Sequence, residues 1–170
     1  MAHAPFVAVI MGSDSDFPVM QSTLEVLDAF GVRYEVRVSS AHRTPVATRD
    51  YVLDAQVRGC AVFIAAAGMA AHLAGAVAAL TVRPVIGVPV DAGPLQGEDA
   101  LLATVQMPGG IPVATVAIGK AGAKNAGYLA AQILGVADDA LAAGLRVERE
   151  RIAADVLRRN DALQEKLRGR

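Results

Sequence analysis

Apolar and polar positions come in alternating blocks along the chain as far as Leu134. Phe6 to Met11 is an unbroken apolar run, which is typical of a central parallel strand covered on both faces. Further strands are predicted near Arg33 to Val38, Ala61 to Ala66, Pro84 to Val90 and Pro112 to Ile118. Because a segment of helical length follows each strand, the pattern predicts an α/β fold with a doubly wound parallel sheet between two helical layers.

Turn-forming residues mark the ends of the predicted helices. The first helix follows the polar turn 12–16 and runs to about Phe30, where Gly31 ends it. The second runs from Pro45 to about Arg58, with Thr44 as its predicted cap. A short helix after His72 and two more at Glu98 to Val105 and Gly122 to Leu134 complete the pattern, with loops at Ala67 to His72 and Asp91 to Gly97.

The segment from Asp138 to the end of the chain has a different character, because it is charged, helical and rich in arginine. Its apolar residues form a narrow stripe near the helical period: Leu141, Leu145, Ile152, Val156, Leu163 and Leu167. Two interpretations remain open, packing against a neighbouring subunit or against its own domain. We expect residues 1–170 to form a single catalytic domain, with a core at about 6–134 and a helical tail at about 138–168.

Composition narrows the class of protein. The chain has 170 residues, of which 54% are hydrophobic and 19% charged, so it is long and apolar enough for one ordered core. A net charge of −1 indicates neither a nucleic-acid partner nor a polybasic membrane surface. Cys60 is the single cysteine, which excludes an intrachain disulfide, and we place it at the start of a buried strand. Met1 to Pro5 has no signal-peptide pattern, and we expect a cytoplasmic protein.

Polar side chains with chemical potential follow the first three predicted strands. They are Ser13 to Asp16 after the first strand, Ser40 to Arg43 after the second and His72 after the third. Because the carboxyl ends of parallel strands share one edge of a sheet, we expect these residues to converge. Arg43 can bind a phosphate or carboxylate, and His42 can transfer a proton near neutral pH. Asp16 can bind sugar hydroxyls, and the turn at Ser13 can hold phosphate oxygens.

Ordinary structural roles remain open for the same residues. Helix capping accounts for Ser13 or Asp14, and it accounts for Asp14 better than for Asp16. His72 is equally explained as a buried histidine bonded to a backbone carbonyl. Taken by itself, the turn from Ser40 to Arg43 is equally explained as a polar, solvated loop.

Several familiar sites are absent from the sequence. It contains no GxGxxG after the first strand, no GxxxxGK[ST] and no GxSxG. Its histidines, His3, His42 and His72, do not have metal-ligand spacing, so we expect no metal. A receiver-type phosphorylation domain requires an acceptor aspartate after the third strand, where this chain has Ala66, Ala67 and Gly68.

Seven motifs occur in order along the chain. They are Met11 to Asp16 (MGSDSD), Ser40 to Pro45 (SAHRTP), Ala70 to Leu73 (AAHL), Pro84 to Pro89 (PVIGVP), Val105 to Pro108 (VQMP), Pro112 to Thr115 (PVAT) and Ala121 to Ala126 (AGAKNA). Together they closely resemble the family of N5-carboxyaminoimidazole ribonucleotide mutases, small enzymes of microbial purine biosynthesis. The resemblance covers about Val7 to Leu134, and the tail carries no motif.

The resemblance implies a flavodoxin-like three-layer αβα sandwich with an extended C-terminal helix, assembled as a homo-octamer with sites near subunit boundaries. It implies an isomerase that moves a carboxylate from the exocyclic nitrogen of an aminoimidazole ribonucleotide to ring carbon four. The family uses no metal, organic cofactor or ATP in this step. A functional coupling to an ATP-dependent synthetase of the substrate is also implied, whereas a nucleic-acid or membrane partner is not.

The resemblance also implies roles for individual residues. His42 would be the general acid and base, since one group must both give and take a proton. Ser13 and Asp16 would hold the ribose-phosphate portion of the substrate, with Ser40 and Arg43 on the phosphate side. The loop after the third strand would contact the base and the carboxylate, through Gly68, His72 and Leu73.

The sequence departs from the family pattern at four positions. Phe17 stands where a Trp is common, Met69 where a Gly is usual, Ala74 where a Pro is usual and Ala100 where a Ser is usual. The changes at Met69 and Ala74 affect the loop after the third strand, so we expect altered flexibility and closure there.

Two other functions remain open. The related aminoimidazole ribonucleotide carboxylases take up carbon dioxide directly, but their motif typically has Lys at the position of Arg43 and lacks Pro45. The mutase is therefore favoured. A non-catalytic ribonucleotide-binding module of the same fold would not need His42.

Overall fold

The computed structural model describes residues 5–169. The absence of a signal peptide was expected from Met1 to Pro5, and of this segment only Pro5 is among the described residues. His3 lies outside them as well, as does Arg170 at the end of the tail.

Five parallel strands form one sheet in the described part of the chain. They are β1 (Phe6–Met11), β2 (Tyr34–Val38), β3 (Cys60–Gly68), β4 (Val85–Val90) and β5 (Ala114–Thr115). Their spatial order is β2-β1-β3-β4-β5, and each neighbouring pair is parallel. This order reverses direction between β1 and β3, as in flavodoxin-like folds. The prediction of a doubly wound α/β fold is confirmed.

Helices cover both faces of the sheet. They are α1 (Phe17–Ala29), α2 (Pro45–Val57), α3 (Leu73–Ala78), α4 (Glu98–Val105), α5 (Gly119–Gly135) and α6 (Asp139–Arg168), with a short 3-10 turn at Asp14–Asp16 before α1. One core cluster lies between the sheet and the pair α1 and α5, and a second lies between the sheet and the pair α2 and α3. The three-layer αβα sandwich with an extended C-terminal helix is therefore confirmed.

The central strands are buried on both sides, as their unbroken apolar sequences predict. Every residue of β1 and of β4 is buried, and successive side chains of β1 enter the two core clusters in turn. At Gly87 the packing leaves no room for a side chain, because a β-carbon there would lie 2.3 Å from Thr104 Cγ2 on α4. Cys60 begins β3 as predicted, and its burial raises the pKa of the thiol to about 11, which suits a core residue.

Three predicted boundaries are wrong. β3 runs on to Gly68, so Ala67 and Gly68 belong to the strand, since pairing with β4 continues as far as Val90. β5 contains only two residues instead of the segment from Pro112 to Ile118, because this edge strand pairs with β4 only at Ile86 and Gly87. α5 begins at Gly119, which has a φ of +71° and lets the chain turn directly into the helix.

The start of α6 lies on α5 of the same chain. Leu141 and Leu145 pack against the core cluster beneath α1 and α5, and Tyr128 Oη donates a hydrogen bond to Glu148 at 3.0 Å. The end of α6 is different, because Val156, Leu163 and Leu167 are exposed. Packing on its own chain is thus confirmed for the first half of the tail only. Within residues 5–169, every helix is too short or too polar to span a membrane.

Candidate active site

A cavity of about 500 Å³ opens at the carboxyl ends of the central strands. All eight site residues predicted from the sequence line it: Ser13, Asp16, Ser40, His42, Arg43, Gly68, His72 and Leu73. We call the residues after β1 and β2 the β1–β2 wall (12–16 and 40–43). The β3–β4 wall comprises residues 67–73 and 92–93. The volume of the cavity suits a small organic ligand, and doubly wound sheets bind ligands at this position.

The first part of the β1–β2 wall is a capped helical turn. Ser13 Oγ accepts a hydrogen bond from the Ser15 amide at 3.3 Å, and Asp16 Oδ2 accepts one from the Ser13 amide at 3.2 Å. This reciprocal arrangement is a capping box. The expectation that Asp14 caps in preference to Asp16 is wrong, because Asp16 reaches back across the turn while Asp14 is exposed.

Asp16 combines this bond with burial. Its side chain lines the cavity although the residue is only 6% exposed. Burial raises the pKa of Asp16 above its ordinary value, against the lowering effect of the hydrogen bond from Ser13. Capping engages Oδ2 only, so the carboxylate retains acceptor capacity for a hydroxyl group of a ligand.

Arg43 joins the turn after β1 to the turn after β2. Its Nη2 donates to the carbonyl oxygen of Gly12 at 3.1 Å, and its Nε donates to Ser40 Oγ at 3.4 Å. An arginine has five N–H donors in a fixed fork, so these two bonds leave others for an anion.

The cap predicted for α2 is only partly present. Thr44 does precede Pro45 at the start of the helix, but its hydroxyl makes no capping bond to the helix. It donates instead to the Ser40 carbonyl oxygen at 3.0 Å and accepts from the Ser40 amide at 3.1 Å. These bonds close the turn that presents His42 and Arg43 to the cavity.

His42 and His72 meet across the cavity. His42 Nε2 lies 2.8 Å from His72 Nδ1, and the two rings are nearly perpendicular at 83°. A hydrogen bond between these nitrogens requires one of them to be protonated and to donate, and the other to be unprotonated and to accept. The alternative of a buried His72 bonded to a backbone carbonyl is wrong, because His72 is exposed and its Nδ1 faces His42. The site thus holds a group able to transfer protons beside a group that orients it.

The β3–β4 wall is built by close backbone approach. A β-carbon on Gly68 would lie 2.6 Å from Ala92 Cβ, so only glycine fits there. Leu73 is buried at the base of the wall and belongs to the core cluster beneath α2 and α3. Sequence reasoning did not name Ala92 as a site residue. The rule that all loops after parallel strands share one edge would have found it, since it follows β4 by two residues.

The arrangement is suited to a small anion that undergoes proton transfer. Arg43 offers donors, Asp16 offers an acceptor, and the histidine pair offers acid and base. Among residues 5–169 there is no cluster of three or more His, Cys, Asp or Glu side chains that could hold a metal ion. Fold and site together define a doubly wound α/β protein with a cavity at the carboxyl ends of its strands, into which an arginine, an aspartate and two histidines are brought.

Comparison with known proteins places the chain more narrowly. The sequence model of the AIR carboxylase family matches residues 6–155, and the chain belongs to that family. Three similar proteins are each named N5-carboxyaminoimidazole ribonucleotide mutase. That of Bacillus subtilis is 54% identical over 94% of this chain and 98% of its own. That of Mycobacterium leprae is 53% identical over 100% of this chain and 98% of its own. That of Thermotoga maritima is 51% identical over 95% of this chain and 93% of its own.

A solved structure agrees with this assignment. The crystal structure of Treponema denticola PurE superimposes with a TM-score of 0.85, at 28% identity, over 94% of this chain and 99% of that one. The resemblance inferred from the seven motifs is therefore confirmed, and the protein is an enzyme of the isomerase, or mutase, type.

Proposed function

We propose that this protein converts N5-carboxyaminoimidazole ribonucleotide to 4-carboxy-5-aminoimidazole ribonucleotide in purine biosynthesis. The observation that carries the proposal is the contact of His42 with His72 in a cavity that also contains Arg43. A proton-transfer group thus stands beside an anion-binding group, as a carboxylate shift on a ribonucleotide requires. The names of the similar proteins support the same substrate.

In the proposed mechanism His42 acts twice. As an acid it protonates the exocyclic nitrogen while the bond from that nitrogen to the carboxylate carbon breaks, which releases carbon dioxide and aminoimidazole ribonucleotide within the cavity. Ring carbon four then attacks carbon dioxide and forms the new carbon–carbon bond. His42 finally takes the proton from that ring carbon, so the overall reaction is an isomerisation with no net proton change.

Binding is assigned to both walls of the cavity. Ser13 and Asp16 hold the ribose-phosphate portion of the substrate, and Ser40 and Arg43 lie on its phosphate side. Gly68, His72 and Leu73 surround the base and the moving carboxylate. A wall with little room for water would retain carbon dioxide between the two bond changes, and the close approach of Gly68 to Ala92 supports that role.

The proposal extends to assembly and cellular context. The chain forms one catalytic domain that assembles into a homo-octamer in the cytoplasm, and its substrate comes from an ATP-dependent synthetase. Exposed apolar side chains outside the lining of the cavity support assembly, among them Val57 at 89% and Val82 at 100% exposed. Multi-angle light scattering of the purified protein tests the assembly, because a monomeric mass would contradict it.

The function is tested by offering purified protein two substrates without ATP. One reaction contains N5-carboxyaminoimidazole ribonucleotide, and the other contains aminoimidazole ribonucleotide with bicarbonate and dissolved carbon dioxide. We expect fast formation of the 4-carboxy product from the first and slow formation from the second at low carbon dioxide.

The other outcomes identify the alternatives. Efficient use of the second mixture alone would make the protein a carboxylase and overturn the proposal. Tight ribonucleotide binding with no product from either mixture would indicate a binding module.

A further inference from the structure

The loops that follow β3 and β4 touch each other at Met69. This residue comes directly after β3, and its side chain lies over Gly93 in the loop after β4. A β-carbon built on Gly93 would be 3.3 Å from Met69 Cγ and 3.7 Å from Met69 Sδ. The Met69 side chain therefore rests against a backbone surface that glycine leaves open, and it joins the two loops.

The backbone of Met69 is held in a conformation that costs free energy. Its φ is +54°, in the left-handed region that residues with a β-carbon avoid. Among residues 5–169, the non-glycine residues with positive φ are Met69 and Gln96, and they lie in these same two loops. Such conformations persist where surrounding contacts hold them, and they are frequent at ligand-binding sites.

A short run of backbone connects Met69 to the histidine pair. The Ala71 amide donates to the Met69 carbonyl oxygen at 2.9 Å, and the His72 amide donates to the Ala70 carbonyl oxygen at 2.8 Å. Because of these tight turns, the backbone between Met69 and His72 has little freedom to move. His72 Nδ1 in turn forms a hydrogen bond with His42 Nε2. A displacement of Met69 would therefore move the ring that orients His42.

We propose that Met69 is a positioning residue whose side chain braces the β4 loop against the β3 loop and so holds the β3–β4 wall in place during turnover. Met69 is 54% exposed at the rim of the cavity. Removing its side chain therefore loosens the contact between the two loops and creates no void in the hydrophobic core. The consequence for chemistry rests on the proposed function. A wall that loosens between the two bond changes releases carbon dioxide and aminoimidazole ribonucleotide before the second bond forms.

Three variants separate the contact from the backbone strain. Met69→Ala removes the contact with Gly93 but keeps a β-carbon at positive φ, whereas Met69→Gly removes both the contact and the strain. Met69→Leu is the matched control, because it keeps both an apolar side chain of similar volume and the strain. If bracing comes from the contact, the Ala and Gly variants behave alike and the Leu variant behaves like the wild type.

The first measurement is amide hydrogen exchange of the full-length protein, which needs no substrate. We expect exchange in residues 92–97 to accelerate about tenfold in the Ala and Gly variants and to stay unchanged in the Leu variant, since local opening follows the loss of packing contacts. Wild-type exchange in the Ala variant, or acceleration in the Leu variant equal to that in the Ala variant, would overturn the proposal.

The second measurement is the ratio of released aminoimidazole ribonucleotide to 4-carboxy product, after subtraction of the decarboxylation that occurs without enzyme. We expect this ratio to rise severalfold in the Ala and Gly variants, with kcat falling about tenfold and KM changing less, because a small misplacement of reacting groups is costly. An unchanged ratio would contradict the bracing role. If the wild type makes no 4-carboxy product, the proposed function fails, while the exchange measurement still decides whether Met69 braces the loops.

Discussion

The two walls of the cavity are held in place by different forces. The β1–β2 wall is fixed by hydrogen bonds, with Ser13 and Asp16 closing a capping box and Arg43 bonded to the Gly12 carbonyl oxygen. The two loops of the β3–β4 wall are joined by contact, with Gly68 against Ala92 and the strained Met69 against Gly93, while backbone hydrogen bonds act within the turn 69–72. Hydrogen bonds fix direction, whereas contact fixes only distance and excludes water.

This difference matches the work assigned to each wall. Binding an anionic ribonucleotide requires donors and acceptors at set angles, which the polar side chains of the β1–β2 wall supply. In the proposed mechanism, retaining carbon dioxide requires a surface without gaps, and the close approach of Gly68 to Ala92 in the β3–β4 wall suits that role. His42 and His72 come from opposite walls and meet between them, so the position of the proposed proton-transfer group, His42, depends on both walls.

The largest effect is expected at this meeting point. His42→Asn keeps a polar side chain of similar size but removes the group that gives and takes the proton. We expect kcat for the carboxylate transfer to fall by about 10²- to 10⁴-fold, the usual contribution of general acid–base catalysis. Steady-state kinetics with N5-carboxyaminoimidazole ribonucleotide checks this expectation.

His72→Asn is the matched control for that variant, since it changes the same residue type on the other wall. It removes one hydrogen bond to His42, which is worth about 1 kcal/mol, or a roughly fivefold loss. If the two variants lose activity equally, both histidines take part in the chemistry, and His72 does more than orient His42. If His42→Asn keeps full activity, the protein does not use His42 as an acid or base.

The second effect concerns the β1–β2 wall alone. Arg43→Lys keeps the positive charge but loses the fork that contacts both Gly12 and Ser40. We expect KM to rise about tenfold with a smaller change in kcat, because binding of the phosphate side is weakened in the ground state and the transition state alike. Arg49→Lys, on the exposed surface of α2 beside Asp50, should leave both parameters near wild type. An unchanged KM in Arg43→Lys would remove Arg43 from the binding site.

The residues that line the cavity were largely predictable from sequence, and the contacts between its walls and loops were not. Polar residues after apolar strands are visible in the pattern, and the geometry of a parallel sheet brings them to one edge. That reasoning gathered six side chains in one cavity, as the structure has them: Ser13, Asp16, Ser40, His42, Arg43 and His72. It depends only on the order of strands and helices, which hydrophobic periodicity indicates well.

The remaining features depend on contacts between residues distant in sequence. The contact of His42 with His72 depends on the registers of β2 on β1 and of β1 on β3. That of Met69 with Gly93 depends on the register of β3 on β4 and on the path of the loops. Nothing in the residue types fixes either one. The positive φ of Met69 is least visible of all, because a methionine in the sequence gives no sign of a conformation that favours glycine.

The smallest effect concerns the cost of a buried carboxylate in the β1–β2 wall. Burial raises the pKa of Asp16 in the folded protein above its unfolded value of about 3.8. The protonated form is therefore favoured by folding. Its stabilising contribution is complete below the unfolded pKa and is lost as the pH rises through the folded pKa, so ionised Asp16 costs stability at neutral pH.

Asp16→Asn removes this cost while its amide oxygen can still accept from the Ser13 amide. We expect the free energy of unfolding to rise at pH 7 and the gain to vanish near pH 3, while KM rises because the acceptor for the ribose is weaker. Denaturant unfolding at both pH values checks this, with the exposed Glu25→Gln as a control for loss of charge alone. A variant that is less stable than wild type at pH 7 would mean that the capping bond requires the charged carboxylate. The β1–β2 wall would then stabilise the fold, with no conflict between holding the turn and binding the substrate.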